Sequence, residues 1–199
     1  TAALSVTSAA TAESIDMDDP RRALGRQDDI RVDAQILSET VSPGAPIAVT
    51  CQIQNLTSYP VAVADRVAAA TYDSETRTIT LSLGSEVPAD GNLPRLVTIE
   101  PGEKLVFRAA ATAAFGAAGA RPGVAEPRYV QVKVSILRNL VPFHALIANQ
   151  SRGPQTLSDE LFDSWFESKD TIFLNTVPVH FVPSRLNGSA AQRSARGSF

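Results

Sequence analysis

Between residues 79 and 107 the chain alternates and then turns a corner. Ile79, Leu81 and Leu83 are separated by Thr80 and Ser82, the period-two pattern of a strand with one buried face. After a Gly- and Pro-punctuated loop, Leu96-Val-Thr-Ile99 and Leu105-Val-Phe107 flank Glu100-Pro101-Gly102-Glu103. Pro at the second turn position and Gly at the third suit a type II turn. Two short strands joined through Pro101-Gly102 therefore predict a corner of an all-β sandwich. That is a statement about architecture, and no stretch of the chain makes an equally direct statement about chemistry.

The same alternation predicts further strands. Ile30, Val32, Ala34 and Ile36 share one face, and Ile47 to Gln54 follows the turn Val41-Ser-Pro43-Gly44-Ala-Pro46; these two strands are expected to pair. Val61 to Val63, a hairpin with its tip at Asp73-Ser-Glu75, and the run Val130, Val132, Val134, Ile136 complete the pattern. The period then lengthens. Leu157, Leu161, Phe162, Trp165 and Phe166 recur at helical spacing opposite Asp159, Glu160, Asp163 and Glu167, which predicts an amphipathic helix capped by Thr156 and lying across an open end or face of the sandwich. A last strand is expected over Thr171 to Val182.

Domain organisation follows from where the pattern fails. Residues 1–29 read as an N-terminal arm, residues 30–183 as the sandwich, and residues 184–199 as a flexible tail rich in Ser, Gly, Arg and Ala. Ala10-Thr-Ala12 before Glu13 fits a signal-peptidase site, so residues 1–12 read as a signal-peptide remnant. Without a basic leader the cytoplasm stays open, and export is the favoured expectation.

Ile53-Gln-Asn55-Leu-Thr-Ser-Tyr-Pro60-Val61, followed about forty residues later by Ile99-Glu-Pro-Gly-Glu103-Lys-Leu-Val-Phe107, resembles the pattern of bacterial immunoglobulin-like modules, both adhesion-type repeats and proteinase-inhibitor-like sandwiches. The resemblance spans Ile30 to Ile136. It implies an immunoglobulin-like Greek-key β-sandwich, with the helix as an insertion before the last strand.

The composition narrows function mainly by exclusion. With 18 Lys and Arg against 21 Asp and Glu, the chain lacks the basic footprint of a nucleic-acid binder. No run approaches the length of about 20 apolar residues that spans a bilayer. The single cysteine, Cys51, lies on the apolar side of its strand and reads as a buried thiol rather than a reactive one. His144 and His180 are the only histidines, and each reads first as structural, because a base or ligand role needs converging partners. Asp16, Asp18 and Asp19 lack the Gly turn and distal Glu of a calcium loop. Asn55-Leu-Thr57, Asn149-Gln-Ser151 and Asn187-Gly-Ser189 match the glycosylation acceptor pattern and carry little weight at this length. No cofactor or metal is indicated.

The expectation is thus a non-catalytic module for protein–protein contact, an adhesion or assembly component whose partner is another protein or copies of itself. Contact would come through edge strands or through Phe115, the apolar tip of the Ala/Gly-rich loop from Ala111 to Pro127. One alternative is a proteinase inhibitor acting through that loop. A second is a carbohydrate-binding or unrecognised enzyme domain.

Overall fold

Alternation becomes strand wherever it is cleanest. The computed structural model describes residues 15–64, 68–84, 94–114, 125–153 and 155–183. In chain order come β1 (Arg22–Gln27), β2 (Ile30–Ile36), β3 (Thr40–Val41), β4 (Ile47–Asn55), β5 (Val61–Ala64), β6 (Ala68–Asp73), β7 (Thr78–Leu83), β8 (Leu96–Ile99), β9 (Lys104–Ala111) and β10 (Tyr129–Leu137). Helices α1 (His144–Asn149) and α2 (Asp159–Ser168) follow, then β11 (Lys169–Phe173), β12 (Val177–Pro178) and β13 (His180–Phe181).

Strands β1-β2-β4-β9 form a four-stranded antiparallel sheet. The larger, seven-stranded sheet runs β6-β7-β10-β5-β8, with β11 and β12 also paired to β10. Period-two burial turns Ile30, Val32, Val49, Cys51 and Ile53 of the first sheet toward Val61, Ile79, Leu81, Val130 and Val132 of the second, in one continuous core. Burial pushes the Cys51 thiol pKa up, because the thiolate would lose its water. As expected, β2 pairs with β4 and β6 with β7. The Pro101-Gly102 corner carries the chain from β8 in one sheet to β9 in the other. There Glu103 N donates to Glu100 O at 3.0 Å, and Gly102 has φ +81°.

β10 is flanked on both sides. Along one edge β7 runs parallel to its residues 129–134 and β5 then takes over antiparallel at Leu137↔Ala62, while β11 and β12 pair with the other edge. Gly84 sits at this handover with φ +69°. A Cβ there would lie 2.4 Å from Ser135 O, so only glycine meets both the backbone and the space.

Several expectations need correction. The arm assigned to residues 1–29 gives its last part to the sheet as β1, which pairs with β2 through a two-residue turn with Asp28 at φ +49°. Its inward residues are Ala23 and Gly25, too small to register as a hydrophobic alternation. Gly25 is small for a reason: a Cβ there would come within 2.9 Å of Phe173 O. β1 is clasped there to the C-terminal part of the chain, Leu24 N donating to Asn175 Oδ1 at 2.6 Å and Asn175 N to Leu24 O at 3.1 Å. The single strand expected over Thr171 to Val182 is interrupted and falls into β11, β12 and β13.

The helical region also differs. Ser158, not Thr156, caps α2, its side chain accepting from Leu161 N at 3.4 Å. Of the expected apolar face only Trp165 is fully buried, edge-to-face with Phe143 at 5.7 Å. Phe162 is 39% and Phe166 62% exposed, and Lys169 Nζ lies 5.4 Å from the Phe166 ring centre. The helices cover a face of the large sheet: Ala62, Ala64, Leu96, Leu137, Leu140, Phe143 and Trp165 form a second, smaller core. β5 is therefore buried on both sides, Val61 and Val63 toward the main core and Ala62 and Ala64 beneath the helices.

One end of the paired sheets is tied by side chains. Asn55 is fully buried; its Nδ2 donates to Tyr59 O and Ile99 O, both at 2.9 Å. Its Oδ1 accepts from Thr57 N at 3.0 Å and Thr57 Oγ1 at 2.7 Å, so no amide hydrogen is free for a glycan. Beside it, Arg138 binds Asp170 at 2.6 Å and Asp28 at 3.1 Å.

Candidate functional site

β8 is the outermost strand on its side of the large sheet, paired through β5 alone. An outer strand presents a row of backbone donors and acceptors that another chain can meet. Here the row is already met at one residue. The chain leaves α1 through a 3-10 turn, Gln150–Arg152, which brings the Gln150 side chain against Leu96. Gln150 Oε1 accepts from Leu96 N at 2.5 Å, and Gln150 Nε2 donates to Leu96 O at 3.1 Å. A neighbouring antiparallel strand would make the same two bonds with its peptide groups. Because Leu96 turns both groups away from β5, Thr98 faces the same way two residues on. Alongside runs a groove of about 720 Å³ lined by Arg95, Leu96, Ile147, Gln150, Ser151 and Gln155. Arg95 is exposed at its rim, with no side-chain partner among the described residues.

The opposite region lies where β7 and β10 begin. Arg77, after the hairpin tip, has the left-handed backbone φ of +58°. Its carbonyl accepts from Arg128 N at 2.8 Å and Tyr129 N at 3.2 Å. Arg77 Nε donates to Glu126 O at 2.7 Å, and Tyr72 Oη donates to Ala125 O. Desolvation by burial raises the Tyr72 phenol pKa. Residues 125–129, which return from the Ala/Gly-rich loop, are thus fixed to the β6–β7 hairpin. A cleft of about 360 Å³ opens here, lined by Arg77, Glu126, Arg128, Tyr129, His180 and Phe181. β13 closes its far wall by pairing with β3.

The residues singled out from sequence are dispersed. His144, the exposed first residue of α1, borders a shallow apolar cleft with Tyr59, Pro60, Leu140 and Val141. His180 lies in the other cleft, so the two imidazoles do not share a site. Asp19 is committed to Arg21 and Gln35, and its carboxyl is held well below the usual range, chiefly by the hydrogen bond from the Arg21 side chain. Among the described residues no group of His, Cys, Asp and Glu is placed to hold a metal. Phe115 lies outside the described residues; the loop's described feet are buried Ala113 on one side and the tethered Ala125 on the other.

Sequence reasoning passed over Gln150, Arg95 and Arg77. Nothing in the pattern marks Gln150, because its partner is a backbone 54 residues away. Arg77 had a weak signal, since a tight hairpin tip commonly needs one left-handed residue.

No helix among the described residues is long and apolar enough to cross a membrane. Comparison with known proteins found no matching family model, no similar curated protein and no similar solved structure.

Proposed function

We propose that this chain is a non-catalytic interaction module, an adhesion or assembly component, that receives an extended segment of another protein as an added strand on β8. The observation that carries the reading is the Gln150 amide, seated on Leu96 where an incoming peptide group would sit. Main-chain pairing gives such a complex its affinity, and side-chain pockets give it selectivity. Exposed Arg95 favours a segment with an acidic residue at that rim. The finer fold, an immunoglobulin-like Greek key of bacterial type, belongs to this reading; the corner at Pro101-Gly102 between the two sheets supports it. Export rests on Ala10-Thr-Ala12 before Glu13.

Peptides selected from a random displayed library on the intact protein test the reading. Those that bind should slow hydrogen exchange at Thr98 and lose affinity at least tenfold against Thr98→Pro, since an edge strand tolerates proline but loses the outward donor. Peptides that protect other regions, or bind the proline variant equally well, would sink it.

The inhibitor reading has an observation of its own: a loop offered to a protease needs firm feet, and Tyr72 and Arg77 hold one of them. Titration against bacterial proteases decides it. Stoichiometric loss of protease activity supports it, and steady cleavage between residues 111 and 127 counts against it.

A further inference from the structure

We propose that the cleft between the β6–β7 hairpin and residues 125–129 is an oxyanion site, taking one carboxylate or phosphate group between Arg77, Arg128 and His180. The first reason is the backbone of Arg77. Among the described residues the only other non-glycine with positive φ is Asp28, a residue type whose short polar side chain tolerates that region. Glycine at position 77 would adopt φ +58° without strain, so the arginine is held there against its backbone preference. Strained positions of this kind cluster where a side chain is needed for binding.

The second reason is how the guanidinium is held. Its Nε is spent on Glu126 O at 2.7 Å, which fixes the plane of the group. The two terminal amines have no partner among the described residues, and neither does the Arg128 side chain. Glu126 lines the same cleft, yet it forms no ion pair with either arginine. Two guanidinium groups are thus left without a carboxylate in a cleft that also holds the exposed imidazole of His180. A planar fork with unspent donors matches the paired oxygens of a carboxylate or phosphate. At about 360 Å³ the space admits a single anionic group with its immediate substituent, not a polymer. This site stands apart from the β8 groove, and its test uses none of the same residues.

Intact protein labelled at arginine nitrogen is titrated at constant ionic strength with inorganic phosphate in one arm and succinate in the other. Saturable shifts of the Arg77 and Arg128 side-chain resonances are expected, with little change at exposed Arg152. The arm that saturates at lower concentration tells a phosphate source from a carboxylate source. Arg77→Gly keeps the backbone geometry and should weaken binding at least tenfold with an unchanged amide spectrum. Arg128→Gln should do the same and serves if the glycine variant folds poorly, whereas Arg77→Lys should retain part of the affinity. Linear, unsaturating shifts in both arms, or saturation that survives both Arg77→Gly and Arg128→Gln, would overturn the proposal.

Discussion

The two ends of the paired sheets solve opposite problems. At one, Asn55 and Arg138 spend their polar atoms inside the protein, each joining segments distant in sequence. At the other, Arg77 and Arg128 use their backbones to fix a loop, while most of their charged donors face a cleft. The first arrangement gives rigidity, because a buried amide that loses one partner bears the desolvation of the rest. The second leaves recognition chemistry in reach of solvent. Tethering of the main chain and availability of the side chain are thus separable, and a stable scaffold can combine them in one residue.

Substitutions test the contrast in descending order of effect. On the tied side, Gly84→Val introduces a Cβ where Ser135 O already stands and should cost about 4 kcal/mol, read from urea unfolding. Asn55→Ala strands four buried bonds and should cost about 3 kcal/mol. If it cost no more than a surface change, the idea of a tied end would fail. Asp170→Asn removes the carboxylate from a pair that is 19% and 25% exposed and should cost about 1 kcal/mol, reduced by solvent screening and further by salt.

At the open end, Arg77→Gly relieves about 1 kcal/mol of left-handed strain and loses one hydrogen bond worth about 1 kcal/mol. Its melting temperature should therefore stay close to that of the parent, and a large loss would erase the difference between the ends. The smallest effect concerns Asp73, whose carboxylate accepts from Thr76 Oγ1 at 2.8 Å and Glu75 N at 2.9 Å. Those bonds, the Thr76 one foremost, lower its pKa. The contribution is complete above the unfolded carboxylate value of about 3.9 and is withdrawn as pH falls through the lower folded value. Amide shifts of Glu75 and Thr76 followed down an acid titration should register that change.

Legibility in the sequence followed side-chain size. β4, β7 and β10 announce themselves because Ile, Leu and Val, with Cys51 once among them, recur at every second position on the buried side. β1 is silent because its inward residues are only Ala23 and Gly25, the glycine demanded by the close approach of Phe173. The α2 face misleads in the other direction: Phe162 and Phe166 carry the helical period yet stay exposed, since only Trp165 reaches Phe143. The residues of both candidate sites were harder still. Gln150 acts on a backbone, which no side-chain pattern records, and Arg77 matters through a torsion angle that its residue type does not imply.

The bond between Leu24 and Asn175 joins positions 151 residues apart, and that separation sets an order of events at the ribosome. β1 can meet β2 as soon as both emerge. Its outer backbone must then wait until Asn175 has been made, roughly 8–30 seconds later at synthesis rates of about 5–20 residues per second. Until Asn175 arrives, the nascent protein carries an unguarded margin that chaperones, or a neighbouring copy on the same message, would be the first to find.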